Sequence, residues 1–223
     1  MDLINVITAV SVEYKFVECK TEQLIKKCQE LRHLVYCEEK NWEPECNSKV
    51  EEDEYDEKSI HYLMVCRKTN VGIATFRLIT TNNLPVADYM PSDNMLHPTR
   101  LPVGSVAEVS RFSIVKDYRG GDLPGLLKLL FLLVGYESAK MGLVGAYMVM
   151  EKSLAITLRR NKINCRQITE EFKLNGSRAI YFCSTVESLT SIGSVIGFDK
   201  TSMGKLFEPM FSSEDHNEYR KVS

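Results

Sequence analysis

The chain has 223 residues, of which 44% are hydrophobic and 26% charged, with a formal net charge of -2. That length supports a sizeable core, and the balanced charge argues against a nucleic-acid partner, which would call for a basic excess on one face. Seven cysteines, at positions 19, 28, 37, 46, 66, 165 and 183, include no CxxC pair. They indicate neither a disulfide framework nor a metal site, and suit a reducing, cytoplasmic setting. The longest apolar run, Leu126 to Val134, is broken by Lys128 and falls far short of the ~20 residues of a membrane span. The N-terminus lacks the basic start of a signal peptide. The expectation is one domain over residues 1–223 with a loose tail from about 212, no metal and no integral membrane segment; the oligomeric state is left open.

Along the chain, Val12, Tyr14, Phe16 and Val17 suggest a first strand. From Thr21, a plausible N-cap, Leu24, Ile25, Cys28, Leu31, Leu34 and Val35 recur at steps of three and four, predicting an amphipathic helix that ends before Trp42-Glu43-Pro44. Eight carboxylates then crowd between Glu43 and Glu57. Such a block usually faces water, and it lacks the central glycine and twelfth-position ligand of a calcium loop. Residues 61–67 and 71–80 read as a hairpin. Strand parity puts Arg77 beside apolar neighbours, so it either snorkels at an edge or is paired in a partly buried site.

Four prolines between residues 82 and 105 mark a long connection. Residues 106–115 form the next strand, with Glu108 and Arg111 inside an apolar frame. Alternation points those two charges to opposite faces, so a β-bulge must lie between them if both serve one site. A glycine-bearing loop, Arg119-Gly120-Gly121, leads into an apolar helix from Leu126 to about Lys140, an arrangement that can offer backbone N–H groups to an anion or serve only as a turn. A strand at 145–150, a short helix at 154–160, strand-like segments at 163–171 and 178–185 around an Asn175-Gly176 turn, and a possible helix at 186–196 complete the order. The sum is an α+β pattern, mostly antiparallel in its first half.

This order resembles the GNAT acyltransferase fold, an α/β/α sandwich with a central mixed, mostly antiparallel sheet. There the fourth strand and the following loop bind an acyl thioester and its pantetheine arm. The loop here departs from the usual Arg/Gln-x-x-Gly-x-Gly/Ala pattern, since Asp122 and Pro124 fill positions expected to be small, which weakens the case for nucleotide-bearing acyl-CoA. A more specific resemblance covers Arg32 to Phe112. Arg32, Val35-Tyr36, Trp42, Glu51-x-Asp53-x-x-Asp56, Arg77-Leu78 and Glu108-x-Ser110-Arg111-Phe112 are similar, in order, to motifs of the acyl-homoserine-lactone autoinducer synthases. The Tyr36-Cys37-Glu38-Glu39 variant, Ser59-x-His61 and Gly176-x-Arg178 look closer still to long-chain N-acyl amino acid synthases and exosortase-associated acyltransferases.

The resemblance implies an N-acyltransferase that moves a fatty acyl group from the phosphopantetheine thioester of acyl carrier protein to a small amine, with an amino acid preferred and no other bound cofactor. Its alternatives are a homoserine-lactone synthase using S-adenosylmethionine and a silent acyl-binding module. Amine attack requires a proton acceptor, with Glu108 the first candidate and Glu51 the second; Arg111 completes the catalytic group. Arg32, Trp42, Asp53, Asp56, Arg77 and Ser110 would shape the acceptor pocket, or the charged members would serve only to pin the first helix over the sheet. Phe112, Ser113, Ile114, Arg119, Gly120 and Gly121 would hold the thioester and pantetheine, the strand amides stabilising the oxyanion. The helix from Leu126 and the strand at Gly145 would wall an acyl tunnel or simply pack. Arg119, Lys128, Arg159, Arg160 and Lys162 would dock the acidic carrier. Within the acidic block, Glu51, Asp53 and Asp56 are expected to be paired and partly buried, and Glu52, Glu54 and Glu57 to lie in water.

Overall fold

A computed structural model describes residues 10–119, 126–185, 187, 210 and 211. Thr21 caps the first helix as its sequence predicts: its hydroxyl accepts the Leu24 N–H at 3.3 Å, and helix α1 spans Glu22–Arg32. Beyond Arg32 the chain stays helical but widens into a π-helical stretch, His33–Glu39, which the three-and-four spacing did not foretell. Single-turn π segments are the usual form and often sit at functional sites; this one carries Tyr36 and Glu39.

Among the described residues eight strands form one sheet: β1 (Tyr14–Cys19), β2 (Ser59–Cys66), β3 (Gly72–Ile79), β4 (Val106–Ile114), β5 (Gly145–Met150), β6 (Arg166–Gln167), β7 (Phe172–Lys173) and β8 (Ser177–Ser184). Their order is β1-β2-β3-β4-β5-β8-β6, with β7 paired to β8. Two further α-helices among the described residues are α2 (Leu126–Lys140) and α3 (Lys152–Arg160). The first strand starts at Tyr14 because residues 10–13 close a helical turn. The expected strand over 163–171 shrinks to two residues, and the predicted turn is present, with Asn175 and Gly176 at φ 49° and 112°. Of the possible helix at 186–196 only Glu187 is among the described residues, and the tail from 212 lies outside them.

Contacts divide the chain into two compact units, with β3 and β4 contributing to both. The first holds residues 1–77, 111–127 and 205–223. One apolar layer joins Val17, Cys28, Leu31, Val35, Leu63 and Val65, closing α1 against β1 and β2. Phe16, Tyr62 and Phe76 stack with centroids 5.0 to 5.6 Å apart; each fully buried aromatic of this size contributes about 1.5–3 kcal/mol. Cys19 and Cys28, nine residues apart, bring their thiols within 3.5 Å because one lies on a strand and the other on the helix above it. The second unit, residues 78–110 and 128–204, centres on buried Leu129, Leu130, Leu133, Tyr147, Ile180 and Tyr181. There Gly145 permits a close approach: a Cβ at that position would lie 2.9 Å from the Cys183 carbonyl oxygen.

Candidate active site

Helix α1 delivers Arg32 into the interior of the first unit, where it is fully buried. Its Nε donates to Glu51 Oε2 at 2.5 Å and its Nη2 to the Glu51 carbonyl at 2.5 Å; Nη1 and Nη2 grip the two Asp56 carboxylate oxygens at 2.7 Å. Arg77, on β3 and 2% exposed, donates to Asp56 Oδ1 at 2.5 Å and takes Asp53 in a fork at 2.5 and 2.6 Å. Arg111 Nη2 closes the set, 2.9 Å from Glu51 Oε1 and 3.0 Å from Asp53 Oδ2. Three guanidiniums thus meet three carboxylates in forked, charge-assisted contacts, the pairing that makes burial of such charges tolerable. Glu52, Glu54 and Glu57 are exposed.

The charge states follow from this arrangement. Burial alone would raise the Asp56 carboxyl, but the hydrogen bonds and charges of Arg32 and Arg77 outweigh it and hold it far below the ordinary carboxylate range. Asp53 is lowered in the same way, with Arg77 and Arg111 overcoming burial. Burial opposes the charge on Arg32 and Arg111, yet their carboxylate partners keep both above the ordinary arginine value. His61, 1% exposed, is lowered chiefly by burial; its Nε2 lies 2.9 Å from the Asp56 carbonyl oxygen while its Nδ1 is buried with no hydrogen-bond partner. Protonation would place an unmet N–H in the interior.

Arg111 also marks a break in β4. Its φ of 52° is left-handed, inside a strand whose regular alternation would separate it from Glu108. Arg111 lies 5.7 Å over the Tyr36 ring, and its Nε is buried without a hydrogen-bond partner. Tyr36 donates its hydroxyl to the Phe112 carbonyl at 3.1 Å and packs against half-buried Trp42, centroids 5.4 Å apart. Ser110 and Phe112 are half-buried, while Ser113 and Ile114 are buried. Arg119 donates its Nε to the Ile114 carbonyl at 2.6 Å and pairs with Glu39. Gly120 and Gly121 fall outside the described residues.

Glu108 lies in the second unit, 5% exposed, where it accepts the Val86 N–H at 2.7 Å. The parallel pairing of β4 with β5 covers Val106, Ala107 and Glu108 against Gly145, Ala146 and Tyr147 and goes no further. Just past that point Val109 enters the wall of a cavity that α2, β5 and β8 complete with Phe131, Val134, Ser138, Met148 and Cys183. Its empty space is about 420 Å³, counting the open mouth. Among the described residues no cluster of three His, Cys, Asp or Glu side chains is arranged to hold a metal ion, and no helix is long and apolar enough to cross a membrane.

Residues 31–129 match the family described as acetyltransferase (GNAT) domain. A comparison with curated proteins finds no match. Among solved structures, the AHL synthase LasI superposes with a TM-score of 0.65 at 13% identity, over 81% of this chain and 94% of its own. BjaI, a CoA-dependent acyl-homoserine lactone synthase solved with SAM and isopentyl-CoA, gives 0.65 at 18% identity, over 83% and 90%. FeeM, an N-acyl amino acid synthase from uncultured soil microbes, gives 0.60 at 12%, over 83% and 98%.

The fold is that of the GNAT acyltransferases.

Within this GNAT fold, several participants in the cluster escaped sequence reasoning. Gln29 donates to Asp56 Oδ2 at 3.2 Å; it lies three residues before Arg32 on α1, and that helical spacing is a signal that could have nominated it. Glu43 reaches within 3.9 Å of Arg111, and Glu39 occupies Arg119. The Val86 amide has no signature in sequence, because a backbone donor on an irregular loop leaves none.

Proposed function

We propose that the protein is an N-acyltransferase that moves a fatty acyl group from the thioester of acyl carrier protein to the amine of a small acceptor, most simply an amino acid. The observation that carries this reading is the end of β4–β5 pairing at Glu108, beside a cavity with mostly apolar walls. Parted strands leave backbone groups open to an extended pantetheine arm, as strand addition does, and the cavity offers the chain a water-poor berth.

Chemically, the acceptor amine must be neutral to attack the thioester carbon. Glu108 takes its proton, directly or through one water, with Glu51 as the alternative base. The backbone N–H groups of Phe112 to Ile114, beyond the left-handed Arg111, stabilise the oxyanion. Collapse of the tetrahedral intermediate breaks the carbon–sulfur bond, and the released thiolate takes up a proton. No covalent enzyme intermediate is needed. Within the first unit, the cluster of Arg32, Arg77, Arg111, Glu51, Asp53 and Asp56, with Trp42, binds the acceptor, and the unmet Arg111 Nε–H suits an acceptor carboxylate. Arg119 serves as a fixed post for the strand end, since Glu39 already satisfies its charge. Arg159, Arg160 and Lys162 are exposed around the end of α3 and supply a basic face for the acidic carrier.

A second reading, a homoserine-lactone synthase with S-adenosylmethionine as acceptor, is favoured by Glu43, which tips the charge around Arg111 towards the negative and would suit a sulfonium. The deciding experiment supplies acyl carrier proteins of several chain lengths with pooled amino acids and S-adenosylmethionine, and follows free thiol and product mass. An acylated amino acid supports the proposal, a lactone the second reading, and no release with any donor a silent acyl-binding module.

A further inference from the structure

The cavity of the second unit takes Val109 from β4 and Ala146 and Met148 from β5, so strand alternation turns Glu108 and Tyr147 to the opposite face of the sheet. There the two sit side by side, partners in the β4–β5 register. Both are buried, Tyr147 completely. The connection from β3 to β4 lies over them and touches each once. Its Val86 N–H donates to Glu108 Oε2 at 2.7 Å, and its Leu96 carbonyl accepts the Tyr147 hydroxyl at 2.6 Å. Burial pushes that hydroxyl up to about 12, so it stays a donor throughout the neutral range.

The stretch between those two contacts is a run of turns, each closed by its own backbone bond. Ala87 N–H reaches the Leu84 carbonyl at 2.9 Å, Met90 reaches Ala87 at 3.2 Å, Asn94 reaches Pro91 at 3.0 Å and His97 reaches Asn94 at 2.9 Å. Two further ties hold it to the sheet: the Asn94 side chain donates to the Ile168 carbonyl at 3.0 Å, and Tyr89 stacks on Phe172 with centroids 5.1 Å apart. A loop built this way transmits a displacement instead of absorbing it. What is fixed at Leu96 is therefore fixed at Val86.

We infer that Tyr147 is a positioning residue for Glu108: its hydroxyl anchors the loop whose Val86 amide holds the carboxylate in one orientation. This rests on the reading of Glu108 as the proton acceptor. Tyr147 itself meets no substrate, and its effect on rate comes from keeping the acceptor oxygen where proton transfer needs it.

Tyr147→Phe is the test, because it deletes the hydroxyl and keeps the ring that packs on Phe182 at 5.2 Å. The expected result is a kcat about tenfold lower, the worth of one hydrogen bond, with KM for acyl carrier protein unchanged. Added to Glu108→Gln, the same substitution should cost nothing more, since the group it positions is already gone. An equal loss in both backgrounds, or no loss in either, overturns the inference. Amide hydrogen exchange followed by NMR separates it from failure of the transfer reading. In the otherwise intact protein, Tyr147→Phe should speed exchange of the Val86 amide about tenfold and leave the Val115 amide, bonded to the Ile73 carbonyl in the first unit's part of the sheet, as it was. Unchanged protection at Val86, or equal acceleration at both amides, refutes the role of Tyr147 whether or not acyl transfer is observed.

Discussion

Replacing Arg32 with methionine probes the ion-pair cluster where it is most deeply buried. The side chain makes four hydrogen bonds, to Glu51 Oε2, the Glu51 carbonyl and both oxygens of Asp56, and is fully buried. Methionine fills much of the volume but leaves Glu51 and Asp56, each 7% exposed, short of their central partner. Arg77 and Arg111 still reach them, so the loss is partial. Breaking a buried pair from one side typically costs ~3–5 kcal/mol, a large share of a domain's total of roughly 5–15 kcal/mol. With a urea slope of about 1–3 kcal/mol per molar, the midpoint should fall by at least roughly 1 M, read from the fluorescence of Trp42, the single tryptophan. Lysine should recover little, because an ammonium cannot fork to two carboxylates. The double variant Arg32→Met/Asp56→Asn should cost clearly less than the sum of its parts. A loss below about 1 kcal/mol, the range of solvent-exposed pairs, or simple additivity, would refute the claim that this cluster is a desolvated, mutually dependent unit.

Three further outcomes are expected. Asp53, Asp56 and His61 all have folded pKa values below their unfolded ones, so the unfolded chain binds more protons and stability must rise with pH. Thermal scans should show the His61 contribution complete above its ordinary value of 6.5 and declining below it, and the aspartate contribution complete above 3.8 and lost on further acidification; a midpoint flat from pH 7 to 4 would contradict this. Charge reversal at Arg159 and Arg160 should raise KM for acyl carrier protein and steepen with falling salt, and an unchanged KM removes that face from docking. Glu108→Gln keeps an oxygen for the Val86 N–H, so the fold should persist while kcat falls by roughly a hundredfold to ten-thousandfold; Glu51→Gln showing the larger kcat loss would move the base to Glu51.

Much of the architecture was legible because it obeys short-range rules. Thr21, the three-and-four apolar spacing and the Asn175-Gly176 turn each carry their own local physics, and the helix and turn follow. Arg77 was legible only as a conflict, a charge in an apolar strand, and the conflict resolves through Asp53 and Asp56, which sit 24 and 21 residues away in sequence. The break at Arg111 was readable as a condition on Glu108 and Arg111, not as a backbone angle. What stayed hidden depends on three-dimensional closure. The π-helical turn trades local hydrogen-bond geometry for the placement of Tyr36 against Phe112, and the hold of Tyr147 on Leu96 is visible only once the path of the loop is known.

The central claim, that acyl groups pass from a thioester to an amine, is tested most directly by product stoichiometry. A single acyl carrier protein and an isotopically labelled amino acid are incubated with the protein, and released thiol is counted against labelled amide by mass spectrometry. Equal amounts of the two are expected, with both lost together in Glu108→Gln. Thiol release without amide would contradict acyl transfer and make the protein a thioester hydrolase.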